Sequence, residues 1–190
     1  MGLDDVPTIA RWFENFEDIA LFDRNLPVPI GPEAVRESWR PALEYSDPPR
    51  SLWFVAEDAD GHPAGIGGLQ AINYIHGDAV LPMFVDRPAR TNGLATGMTI
   101  TLLDLAFGQL RLHRVSTFFR ADHDATANVV GKAGFREEGR IRQAWFAGGK
   151  HHDVVQVGIL RSEWLDGCER LRTDLKTNSG VQLRLEGTEA

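Results

Sequence analysis

The chain has 190 residues, 43% of them hydrophobic and 25% charged, with a formal charge of −7: the composition of one globular domain. The acidic balance argues against a nucleic-acid binder that neutralises phosphates, and no apolar run reaches the ~18–20 residues that span a bilayer, so neither nucleic acid nor membrane is an expected partner. The lone Cys168 can form no internal disulfide, and "MGLDDVPTIARW" lacks the basic start and apolar stretch of a secretory signal, so the expected compartment is the cytoplasm.

In chain order, Val6, Ile9, Ala10, Phe13 and Phe16 share one face of a helix predicted over residues 4–17, with Asp4 or Asp5 as N-cap. "LFDRNLPVPIGP" breaks the chain, and Gly31-Pro32 starts a second helix with Val35, Trp39 and Leu43 spaced by four. The period then shortens. Runs 51–58, 63–75 and 79–85, separated by "DADGHP" and "HGD", predict three strands in an antiparallel meander. Leu94, Met98, Leu102, Leu105 and Ala106 predict a helix of about four turns. A strand over 113–121, a short helix in "ATANVVGKAGF" ended by Gly134, and a hairpin of 135–147 and 151–160 follow. A helix from Ser162 to about Arg172 and the alternating "GVQLRLEG" (180–187) complete an α/β chain: a mixed sheet with helices on its faces.

The stretch "RPARTNGLATG" (87–97) puts a basic, glycine-containing turn immediately before a helix. Such a turn is either an anion site, because unpaired N–H groups meet the positive end of the helix dipole, or a plain strand-to-helix turn. A Walker loop is excluded, since no G-x-x-x-x-G-K-[ST] occurs. "GIGGLQ" (65–70) lies inside a strand and marks a bulge or a close backbone approach.

The order of motifs adds a further reading. "RTNGLA" (90–95), "LHRV" (112–115), "KAGFREEG" (132–139), "GKHHD" (149–153) and "EW" (163–164) together resemble the GCN5-related N-acetyltransferases, specifically their RimJ/RimL-like branch, over about residues 5–165. The resemblance implies one domain over residues 1–190: acceptor-side helices in 1–50, an acetyl-CoA-binding sheet core in 51–161, and a C-terminal helix and strand in 162–190. It implies a mostly antiparallel mixed sheet splayed between the family's fourth and fifth strands, with the co-substrate in the V. Acetyl-CoA would lie with its pyrophosphate on the backbone of Arg90, Thr91, Asn92, Gly93, Leu94, Ala95 and Thr96. Its pantetheine arm would pair with Met83 and Val85, and His123, Ala125, Thr126, Val129 and Lys132 would line the other side.

Acetyl transfer to an amine needs a neutral nucleophile and a proton for the departing thiolate. Two residues are candidates for catalysis. Thr126 stands where the branch has a serine near the cofactor sulfur, or makes only a local backbone bond. Glu138 is a candidate acid or base, or a surface carboxylate after a turn. Asp86 either orders a water or caps a turn. The family's frequent tyrosine is replaced by Val130, and a usual asparagine by His123. "KHHD" (150–153) offers at most two converging ligands, so no metal is expected.

Trp12, Phe16, Phe22, Asn25, Trp145 and Phe146 are candidates for the acceptor side. The acceptor is expected to be a peptide or small-molecule amine: a protein N-terminus, an amino-sugar or antibiotic, or a small amine. A catalytically idle acyl-CoA-binding sensor or assembly module is the alternative. The C-terminal stretch is expected to replace the family's missing first strand, within the chain or swapped in a homodimer.

Overall fold

The computed structural model describes residues 1–24, 31–90 and 92–178. Three short helices open it: α1 (Val6–Trp12), α2 (Phe16–Phe22) and α3 (Pro32–Leu43). The single helix expected over 4–17 is therefore two. The Asn15 side chain accepts from the Glu17 N–H at 2.8 Å and starts a new helix, which leaves Phe16 61% exposed instead of on the buried face. α3 begins as expected, with Pro32 at its first position.

The sheet has seven strands: β1 (Leu52–Glu57), β2 (Pro63–Asn73), β3 (Asp78–Val80), β4 (Met83–Val85), β5 (Arg114–Arg120), β6 (Arg136–Ala147) and β7 (Lys150–Leu160). Pairing is antiparallel except between β3 and β5. The run read as one strand over 79–85 is split, because Leu81-Pro82 interrupts it. β3 pairs with the far half of β2 and with β5, whereas β4 pairs only with the near half of β2. The last bond joining the two sides is the Leu81 N–H to the Ser116 carbonyl, 2.8 Å. Beyond it β4 and β5 part, and the sheet opens into a V at the place the family resemblance implies.

Two apolar layers cover the sheet. α1–α3 pack with Trp53, Ile66 and Phe84 on one face. On the other face, α4 (Leu94–Asp104) and α6 (Arg161–Asn178) pack with Leu69, Val115 and Ile159. α5 (Asp124–Lys132) follows β5. Along β2, Gly65, Gly67 and Leu69 face α4 while Ile66 faces the N-terminal helices. A bulge at Ala71, φ +50°, then shifts the register and puts Ile72 on the α4 side. "GIGG" marks the close approach: a β-carbon on Gly65 would lie 3.3 Å from the Met98 sulfur, and one on Gly67 3.0 Å from its methyl. Small residues thus let α4 lie directly on the sheet and aim its N-terminus at the end of β4. No helix among the described residues is long and apolar enough to cross a membrane. The stretch 180–187 lies outside the described residues.

Candidate active site

The V opens into one cleft of about 1030 Å³, lined by β4, the start of α4, the outer half of β5, α5 and the N-terminal helices. Its first wall is the edge of β4 that pairs with no strand among the described residues. The Gly68 N–H reaches the Pro82 carbonyl and the Asp86 N–H reaches that of Ala64, so even-numbered residues bond to β2. By alternation the backbone groups of Met83 and Val85 point into the cleft. The Val85 carbonyl is already engaged by Arg90 Nε at 3.0 Å.

From β4 the chain runs straight into the loop. Asp86 Oδ1 accepts from the Arg87 N–H at 2.8 Å and starts a 3₁₀ turn over Arg87–Ala89, so its role here is to cap. Gly93 at φ +81° then bends the chain into α4, a conformation that costs a side-chain-bearing residue strain. Among the described residues no side chain caps α4, and its first intrahelical bond is from Gly97 to the Gly93 carbonyl. The N–H groups of Leu94, Ala95 and Thr96 have no partner within the helix, and no acidic residue stands in the first turn. Gly93, Leu94, Ala95 and Thr96 all line the cleft, with Asn92 exposed beside them; Thr91 lies outside the described residues.

Arg90 does more than add charge to the loop. Its Nη2 is 2.7 Å from Asp18, a carboxylate on α2 that is 5% exposed, and Arg87 Nε reaches the other Asp18 oxygen at 2.6 Å. A buried acid thus ties the loop to α2. No sequence signal marked it, because the partners lie about 70 residues apart.

Across the cleft, His123, Ala125, Thr126, Val129 and Lys132 line the wall, joined by Asn128. His123 Nδ1 and Thr126 Oγ1 are 2.9 Å apart. Burial, with help from Arg120 and Arg90, pushes the His123 imidazole below its ordinary range, so it is neutral at pH 7.

Glu138 lies elsewhere. Its carboxylate forms a two-oxygen ion pair with Arg114, which begins β5, whereas the cleft opens from Thr117 onward. Arg114 holds that carboxyl below its usual range. Glu138, expected as a candidate acid or base for the acceptor, is paired with Arg114 and is not among the residues lining the cleft. "KHHD" gathers no metal site either. His152 Nδ1 meets Asp122 at 3.0 Å, while Asp153 Oδ1 accepts from the Gln143 N–H at 2.9 Å and holds a bulge in β6.

Of the acceptor-side candidates, Phe22 lines the cleft. Trp12 and Trp145 are core, Phe16 and Phe146 are exposed, and Asn25 lies outside the described residues. The lining that sequence reasoning missed includes Phe13, Trp39, Trp53, Gln70 and Thr117.

A cleft framed by a free strand edge and an uncapped helix start suits a diphosphate ester on an extended arm, and comparison with known proteins decides what kind. The sequence model of the acetyltransferase (GNAT) domain matches residues 1–136. The chain belongs to the GNAT acetyltransferase family. It is an acyl-CoA-dependent N-acetyltransferase, with acetyl-CoA as co-substrate.

Among curated GNAT relatives, spermidine N(1)-acetyltransferase of Vibrio cholerae is 30% identical over 61% of this chain and 67% of its own length. The putative ribosomal N-acetyltransferase YdaF of Bacillus subtilis is 28% identical over 55% of this chain and 57% of its own. Three of the curated relatives are matched over less than two thirds of their length, at 57–60%. A crystal structure of the V. cholerae spermidine N-acetyltransferase with CoA and spermine superposes with a TM-score of 0.78. At 24% identity it covers 87% of this chain and 95% of that one, which shows the shared fold.

Proposed function

We propose that this GNAT domain transfers the acetyl group to a primary amine by direct attack, with no covalent enzyme intermediate. The observation that carries the reading is the continuity of the free β4 edge with the uncapped start of α4 in one cleft. In this reading the Met83 and Val85 backbone holds the pantetheine arm. The Arg90–Thr96 backbone holds the pyrophosphate, and Lys132 adds positive charge on the opposite wall. Acetyl-CoA, when bound, supplies an activated acetyl group and leaves as the free thiol. The V. cholerae relative bears spermidine in its name and the B. subtilis relative the ribosome, so relatives alone do not select the acceptor.

Protons follow from the side chains. A neutral imidazole carries one N–H. With that proton on Nδ1, His123 donates to Thr126 Oγ1, which leaves the Thr126 hydroxyl to hydrogen-bond the departing sulfur, while the proton shed by the attacking nitrogen passes through water to the thiolate. No carboxylate base accompanies this pair: Asp23 is the one acid lining the cleft among the described residues. The amine must therefore reach its neutral form largely unaided. At pH 7 that costs about 1.4 kcal/mol for an α-amine of pKa ~8 and about 4.6 kcal/mol for a lysine-like amine near 10.4, which favours acceptors of low basicity.

The test is thiol release from acetyl-CoA with a panel of amines. Turnover of α-amines, reduced about tenfold in kcat by Thr126→Ala with little change in acetyl-CoA affinity, supports these roles. An unchanged kcat removes Thr126 from the chemistry. Binding of acetyl-CoA with no amine turned over would favour the sensor reading.

A further inference from the structure

The acceptor end of the cleft differs in chemistry from the cofactor end. Arg90, His123 and Lys132 belong to the cofactor side. Toward the N-terminal helices the lining is formed mainly by Phe13, Phe22, Trp39, Trp53 and Phe84, filled out by aliphatic groups, with Asp23, Ser38 and Gln70 as its polar members. The rings are packed on one another: Phe13–Phe22 at 5.0 Å, Phe13–Phe84 at 5.1 Å and Trp39–Trp53 at 4.6 Å between centroids. The single carboxylate lining the cleft among the described residues, Asp23, is already engaged within the chain. The chain's surplus of acid is thus not spent on this cavity, and the nearby acid on α2, Asp18, is neutralised by Arg87 and Arg90.

Resting on the acetyltransferase reading above, we propose that the acceptor is a small aromatic α-amine: one amine of low basicity on an apolar, ring-bearing body, with no second cation. A polyamine that presents one neutral amine for attack keeps its other ammonium groups charged. Those groups would have to leave water for a wall that offers one carboxylate, and each uncompensated charge opposes binding. Aromatic rings also attract cations through their faces. That attraction is already used here, since the Arg90 guanidinium stands 5.5 Å over the Phe84 ring. The other rings meet each other in stacked or edge contacts and do not surround an open point as a cation cage would. An aromatic body instead adds one more ring to such a cluster and removes apolar area from water. The half-buried Phe22, on the rim of the cluster, is the ring left to meet it.

The experiment compares three acceptors on the wild-type protein: L-phenylalaninamide, L-alaninamide with the same amine and no ring, and spermidine. Thiol release is followed for each, and calorimetric titration of each is run on the CoA-loaded protein. Acetyl-CoA is titrated into the same preparation first. The expected result is a kcat/KM for phenylalaninamide at least tenfold above both others, with the tightest binding. Phe22→Glu, which places a carboxylate at the rim, is expected to cut that preference at least fivefold and to raise the spermidine rate. If that variant does not fold, the wild-type comparison still decides. Spermidine equal to or better than phenylalaninamide, alaninamide equal to it, or no turnover of phenylalaninamide despite acetyl-CoA binding overturns this inference alone. Absence of acetyl-CoA binding overturns the acetyltransferase reading and this inference with it.

Discussion

Replacing Asp18 by alanine tests whether the loop before α4 is held in place from α2. The side chain is 5% exposed and accepts two charge-assisted hydrogen bonds, at 2.6 Å from Arg87 and 2.7 Å from Arg90. Charge-assisted bonds contribute about 1.5–3 kcal/mol each when fully buried. The two guanidinium groups keep 48% and 38% exposure, so water takes over part of the lost bonding and no orphaned charge is left in the interior. The lower end of the range therefore applies, and Asp18→Ala is expected to cost about 2 kcal/mol. For a domain of this size that lowers Tm by about 4–8 °C in a calorimetric scan. The neighbour Glu17 also meets Arg87 but is 80% exposed, and Glu17→Ala is the control with no measurable Tm change.

The functional consequence has a sign that separates two mechanisms. Removing a negative charge near the loop would tighten binding of an anionic cofactor if its field were all that mattered. If Asp18 acts by placing Arg90 and the loop, affinity for acetyl-CoA falls several-fold instead. Calorimetric titration distinguishes them, and an unchanged Tm or a tightened Kd refutes the positioning argument.

His123 is held below its ordinary pKa in the folded state. Below pH ~6.5 the unfolded chain therefore takes up a proton that the native state resists, and stability falls. Tm of wild type relative to His123→Asn should drop further as pH is lowered from 7.5 to 5; parallel curves refute this. Glu138 is held below its ordinary range by Arg114, so Glu138→Gln is expected to lose about 1 kcal/mol of stability at pH 7, with kcat/KM within about twofold of wild type. That loss should disappear as pH falls through the carboxylate range, and a large loss of turnover would return Glu138 to the mechanism. A β-carbon on Gly65 would lie 2.8 Å from the Phe84 carbonyl. Gly65→Ala should therefore push β4 outward, cost about 1–3 kcal/mol by overpacking and raise KM for acetyl-CoA; an unchanged thermal midpoint argues against so close a contact.

Much of the fold was legible because its elements are marked locally. Gly31-Pro32, the period-2 runs of β1 and β2, Gly134 and the Gly148-Gly149 turn each carry a turn or period signal that acts over a few residues. The turn into α4 was legible for the same reason, since "RTNGLA" contains the glycine that the left-handed bend requires. What failed was tertiary. The split of 79–85 depends on β3 and β4 choosing different neighbours, which a β-rich run cannot announce. Glu138 was placed by its neighbours in "KAGFREEG", but its carboxylate is claimed by Arg114, 24 residues away. Asp18 looks like any first-turn helix acid until α2 packs beside the loop. The aromatic lining could not be separated from core by sequence, because Phe13, Trp39 and Trp53 are nearly as buried as the core residues beside them.

The central claim is that the start of α4 holds the diphosphate of acetyl-CoA, and one titration tests it most directly. Acetyl-CoA is titrated calorimetrically into the wild-type protein and into Gly93→Asp, which puts a β-carbon and a negative charge at a φ +81° position facing the uncapped N–H groups. Binding to wild type is expected in the micromolar range and is expected to be lost in the variant while its far-UV spectrum stays native. Equal binding to both proteins, or none to the wild type, contradicts it.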